Sequence, residues 1–176
     1  MNSWVNAQRM KNFMVRKDAV ERLLHRIPKD AELSSKLGEE VLCAVAYLFE
    51  EACRASGTAL AVASKILHRK RPLLIPMLDN VVVNMHYWKA LCGANPPAWF
   101  DRTWLKTGAS SDPTQYMRLM GDEIDANKSA LAQLRKRLAS LVPSTISDVR
   151  LLEVTLYADL VDMARPTASS QSEATL

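Results

Sequence analysis

The stretch Ser64–Val83, SKILHRKRPLLIPMLDNVVV, decides how this chain is read. A run of small and apolar residues ends in the basic cluster His68-Arg69-Lys70-Arg71, and Pro72 and Pro76 then bracket an apolar stub. Each proline fixes its own φ and pushes the residue before it towards extended backbone. PLLIPML is therefore expected to be a stiff, buried connector between two helices, anchored by Leu73, Leu74, Ile75 and Leu78. Asp79 stands where the second of those helices would begin.

Both chemical features of the stretch have a structural and a functional reading. Cations at the C-terminal end of a helix interact favourably with its carbonyl end, by about 0.3–1 kcal/mol each when exposed, and that requires no ligand. The same Lys65, His68, Arg69, Lys70 and Arg71 would serve as a phosphate-contact patch. Asp79 as an N-cap would accept a backbone N–H of the first turn, worth about 1 kcal/mol. Such bonds also hold a carboxylate ionised, as a catalytic base or a stabiliser of a developing cation requires.

Outward from this stretch, the composition is that of a globular chain. The 176 residues are 48% apolar and 24% charged. With only 5 Gly and few alternating β-branched runs, a strand-and-turn architecture is disfavoured. One all-helical domain is expected over residues 1–165, with a small, polar and disordered tail at 166–176. The apolar runs are far short of the roughly 18 residues that a membrane span requires. No apolar core follows the first positive charges, so no secretory signal is expected. Cys43, Cys53 and Cys92 show no C-x-x-C spacing, and His25, His68 and His86 form no ligand pair at helical spacing. Neither a disulfide framework nor a metal or other cofactor is expected, which suits the reducing cytoplasm. Residues 1–30 carry seven Lys/Arg against three Asp/Glu and so hold the whole net charge of +4. The balance hints at an anionic partner.

Periodicity predicts helices nearly everywhere. Met10, Phe13, Val20, Leu24 and Ile27 trace one face of an N-terminal helical region closed by Pro28. Leu37, Val41, Val45, Leu48, Phe49 and Ala52 form a second stripe, with Ser34 or Ser35 as cap and Gly57 as stop. A third helix runs from Thr58 to about Arg69, and a fourth from Asn80 to Leu91, stopped by Gly93. Residues 94–111 read as a packed loop anchored by Trp99, Phe100 and Trp104. Asp112-Pro113 is a helix start, a cap followed by proline at the first helical position. Beyond it Met117, Ile124, Leu131 and Leu138 lie seven apart, interleaved with Met120, Asn127, Leu134 and Leu141. That seam would be a dimerising coiled coil with Asn127 inside, or a long helix packed lengthwise in its own bundle; its shortness favours the second. Pro143 breaks it. Ser147 or Thr145 caps the last helix, whose buried face would be Val149, Leu152, Leu156, Leu160 and Met163.

The block Gly57–Val83 resembles the corresponding block of the helix-hairpin-helix DNA glycosylases. Gly57 matches the family's hairpin glycine, Arg71-Pro72 the helix end, Pro76 the second proline and Asp79 the acid. The resemblance implies a multi-helix orthogonal bundle of glycosylase-like, all-α fold and a catalytic role for Asp79. Ala59 stands where bifunctional members carry a Schiff-base lysine, so only a monofunctional hydrolase or a non-catalytic binder is implied. The hairpin also keeps one glycine where the family usually has two, and two residues separate Pro76 from Asp79 where the family has one. The chain is more specifically similar to a group of uncharacterised bacterial proteins of glycosylase-like fold, which share Ala63–Val82 and a late helix like SDVRLLEVTLYADL (Ser147–Leu160). Lys65, Arg71 and Asp79 would be the residues to watch in that group, with His86 and Trp88 lining the same cleft. As packing residues, His86 and Trp88 would instead be half-buried.

The leading expectation is a DNA-binding protein of glycosylase-like fold. The competing one is a helical interaction module that meets a protein partner, or a second copy, through residues 117–141. A membrane-surface role for residues 1–27 is the weakest reading, and no membrane partner is expected.

Overall fold

The computed structural model describes residues 7–55, 58–78, 86–87, 90–91, 93, 112–141 and 146–163, with side chains up to residue 158. Among these residues the chain is all-α, and no strand forms. The helices are α1 (Ala7–Met14), α2 (Lys17–His25), α3 (Glu39–Cys53), α4 (Leu60–His68), α5 (Pro113–Ala126), α6 (Lys128–Arg137) and α7 (Asp148–Met163). Asp79, Trp88, Gly57, the 94–111 loop with its aromatic anchors, Leu160 and Met163 as buried side chains, and the 166–176 tail lie outside the described residues.

α3 is the hub. Glu39 and Glu40 in its first turn complement the positive end of the helix. Leu42, Val45, Leu48, Phe49 and Ala52 are buried along one side, and α2, α4 and α5 all pack on it. α4 presents Ala61, Val62, Ala63 and Ser64, small enough for close approach, and buries Leu67 completely. α7 packs on α5 and α6 through Val149, Leu151, Leu152 and Leu156. One apolar cluster joins side chains from all seven helices with Leu74, Ile75 and Leu78 of the connector.

Local cap chemistry holds where the sequence placed it at two helix starts. Asp112 Oδ1 accepts from Thr114 N at 2.8 Å, with Pro113 in the first turn. Ser147 Oγ accepts from Arg150 N at 3.1 Å at the start of α7. Gly93 takes φ +68°, the left-handed conformation of a helix stop.

Elsewhere the structure corrects the expectations. The N-terminal region is two helices, and Met10 is 37% exposed rather than part of the buried face. The cap of α3 is Gly38, not Ser34 or Ser35. Ser35 is drawn away instead: its backbone N and its Oγ both donate to Asp125 Oδ2, at 3.0 and 2.5 Å. The 117–141 seam is not one helix. It breaks at Asn127, which ends α5 and precedes α6 with φ −107° and ψ 13°. Asn127 is exposed, and its amide donates to the Glu123 carbonyl at 2.9 Å. Met117, Met120, Ile124 and Leu131 are buried in the domain's own core, while Leu141 is exposed.

The loop carrying Ser34 and Ser35 is pressed directly onto α5. A Cβ built on Gly121 would lie 2.7 Å from both the carbonyl carbon and oxygen of Ser34. Gly121→Ala should therefore destabilise the fold by about 1–3 kcal/mol, seen as a drop of several degrees in Tm. Gly38 has open space around it and extended backbone at an uncapped helix start. Gly38→Ser should leave Tm unchanged or raise it slightly, since the hydroxyl supplies the missing cap. Equal melting of wild type and Gly121→Ala would contradict the close approach.

Candidate functional site

The connector after α4 is held by individual bonds rather than by a helix ladder. Leu33 N donates to Leu73 O at 3.0 Å. His68 Nδ1 lies 2.6 Å from Ile75 O. A carbonyl only accepts, so Nδ1 carries the proton in this contact. Ser64, fully buried, accepts from Leu78 N at 3.0 Å and donates to Ala61 O at 3.1 Å, which satisfies its hydroxyl in both directions. Met77 N donates to Glu153 Oε1 in a short contact. Leu74, Ile75 and Leu78 are buried as expected, whereas Leu73 is half-buried.

Arg71 is committed to the C-terminal end of α2. Its Nη2 donates to Leu24 O at 2.8 Å and reaches Ile27 O at 3.4 Å, and its Nη1 donates to Lys70 O at 2.9 Å. The guanidinium thereby adds a second donor to Leu24 O, which also accepts from Ile27 N at 3.2 Å, and reaches Ile27 O just past the end of α2. Its Nε is buried without a partner among the described residues.

The expected basic cluster therefore divides by role. Arg69 and Lys70 are exposed at the end of α4. His68, Arg71 and Lys65 are half-buried, with His68 and Arg71 turned onto backbone carbonyls. His86 is at the surface, with Nε2 3.2 Å from Glu123 Oε2 and its ring edge-on to Tyr87 at 4.6 Å.

Two carboxylates outside the expected cluster are bonded within the fold, Glu153 to the connector and Glu123 to Tyr87. Glu153 is 4% exposed on α7, accepting from Met77 N and from Arg150 Nη1 at 3.0 Å. Burial pushes its carboxyl above the usual range, against the opposing pull of the Met77 N–H, Arg150 and His68. Glu123 on α5 accepts the buried Tyr87 hydroxyl at 2.6 Å. Burial first, then the hydrogen bond to Glu123 and the charges of Glu123 and Glu153, push the Tyr87 phenol well above its ordinary range, so it remains a donor. Glu153 had a signal in the sequence. It falls between Val149 and Leu156 on the stripe that also holds Leu152, where an acid has to be buried with partners.

Beside the connector, a cleft of about 400 Å³ runs between Leu33, Leu73, Ile124 and the start of α7. Three of its charged groups are engaged within the chain: Arg135 donates to Asp148 Oδ1 at 2.5 Å, and Asp125 holds Ser35. Among the described residues no helix is long and apolar enough to cross a membrane, and no three His, Cys, Asp or Glu side chains gather as a metal site.

An all-helical domain with a proline-braced, side-chain-anchored corner is the class that this geometry defines. The chain belongs to DUF6308, a family of unknown function, whose profile matches residues 5–159. No curated protein and no solved structure matches it.

Glu153 gives a pH test. A folded-state pKa above the unfolded value means that the protonated carboxyl favours the fold. That contribution is full at and below the unfolded pKa of about 4.3 and is lost as pH rises through the raised value. The Tm advantage of wild type over Glu153→Gln should therefore shrink as pH rises above the unfolded value and through the raised folded one. An advantage that grows over this interval would mean that Arg150 and the Met77 N–H hold the group ionised.

Proposed function

We propose that the chain binds nucleic acid through the basic end of α4, on a framework like that of the helix-hairpin-helix DNA glycosylases. The observation that carries this reading is the division of labour within the cluster. Arg69 and Lys70 are exposed and make no ion pair among the described residues, while His68 and Arg71 fix the backbone on either side of them. Cations on a fixed backbone lose less freedom on meeting phosphates than cations on a mobile loop. The landmarks of the resemblance, Arg71-Pro72 and Pro76, fall on the bonded connector, which supports a shared framework. The alternative through residues 117–141 has less support, because Met117, Met120, Ile124 and Leu131 face the domain's own core.

The test is salt dependence. Affinity for a random-sequence DNA duplex should fall steeply with salt, and Arg69→Ala/Lys70→Ala should lower the log–log slope by about 0.9 for each phosphate contact removed. No binding at low salt would sink the reading. An enzymatic extension rests on Asp79, which follows the anchored Leu78. Its test is base release from a lesion-bearing duplex, abolished in Asp79→Asn while duplex affinity and Tm are kept.

A further inference from the structure

We infer that the C-terminal end of α2 is the second half of the same phosphate-binding surface, and that its partner is the backbone of a nucleic-acid duplex. This rests on the nucleic-acid reading of α4 and enlarges it. The joining observation is the Arg71 guanidinium, which leaves the end of α4 and donates to Leu24 O and Ile27 O at the end of α2. Two basic segments more than forty residues apart in sequence are thereby set against each other. In α2 and just past it, Arg22, His25, Arg26 and Lys29 follow the spacing i, i+3, i+4, i+7, which places the helical members on one face. All four are exposed, as are Arg69 and Lys70, and none of the six makes an ion pair among the described residues.

Attraction to the helix end does not account for this grouping. Leu24 O in the last turn of α2 already receives the Arg71 guanidinium, and Lys29 lies four residues past the helix. Like charges at i, i+4 oppose each other in a folded helix. Arg22 and Arg26 stand in that relation, and the neighbouring acids do not pair with them: Glu21 faces Lys17 at 3.9 Å, and Asp30 is exposed.

The surroundings choose the partner. The exposed large apolar side chains among the described residues are Met10, Met14, Val15, Tyr47, Leu141, Val154 and Tyr157, and none belongs to either basic segment. A membrane surface takes apolar side chains as well as cations. Single-stranded nucleic acid takes aromatic stacking platforms. Neither is present among the residues of the patch, whereas a duplex backbone requires only spaced cations.

The experiment measures affinity for a random-sequence DNA duplex across a salt series for the full chain and three double variants. These are Arg26→Ala/Lys29→Ala, Arg69→Ala/Lys70→Ala, and Lys136→Ala/Arg137→Ala, which removes two exposed cations from the end of α6. The first two pairs should each lower the log–log slope by about 1 per cation removed, and the third should leave it near wild type. If the Arg26/Lys29 pair behaves like the α6 pair while the Arg69/Lys70 pair flattens the slope, the α2 half is overturned and the α4 reading stands. Equal effects from all three pairs overturn it too, since net charge alone would then be acting. A wild-type chain that ignores the duplex but binds anionic vesicles removes both readings.

Discussion

Between Arg71 and Leu78 the chain runs without helix or strand, and beyond the turn that Leu74 N and Ile75 N close on Arg71 O its buried backbone groups have to be satisfied one at a time. Leu73 O is met by Leu33, Ile75 O by His68, Met77 N by Glu153 and Leu78 N by Ser64. A buried group left unmet costs about 1–3 kcal/mol, so each partner matters on the scale of the whole fold. The partners come from α4, from α7 and from the loop before α3. The connector is therefore the place where distant parts of the chain are required to agree.

The arrangement is achieved at a cost. Glu153 is taken out of water to serve a single backbone N–H, and a desolvated carboxyl is tolerable only with partners on both oxygens. Arg150, one turn earlier on α7, supplies the second. Tyr87 adds a neutral link, keeping its proton and donating a hydrogen bond to Glu123. Buried chemistry beside the connector thus serves as architecture first. What remains outside, at Arg69 and Lys70, is free of that duty.

Features governed by neighbours in sequence were legible. Asp112-Pro113 and Ser147 cap their helices as local chemistry dictates, and the proline spacing gave the stiff connector with its buried Leu74, Ile75 and Leu78. Features decided at a distance were not. Ser35 looked like a cap, but Asp125, ninety residues away, captures it. Arg71 looked like one more surface cation until α2 offered it carbonyls. The seven-residue repeat suggested an unbroken helix through Asn127. Asn side chains compete with the helix by bonding nearby backbone, and here the amide takes the Glu123 carbonyl as the dihedrals leave the helical range. The residues of the candidate interface were readable as types, while their division into inward and outward members depended on the fold.

The uneven anchoring of the first two helices gives the outer layer an order of opening. α1 buries Phe13 alone, whereas α2 buries Val20 and Leu24 and is stitched to the connector by Arg71. Amide protons of α1 should exchange with solvent through small local fluctuations, and those of α2 only through a larger one that also releases the guanidinium. The first segment can peel away while the second keeps its place, so the positive stripe along α2 outlasts the fraying of the chain that precedes it.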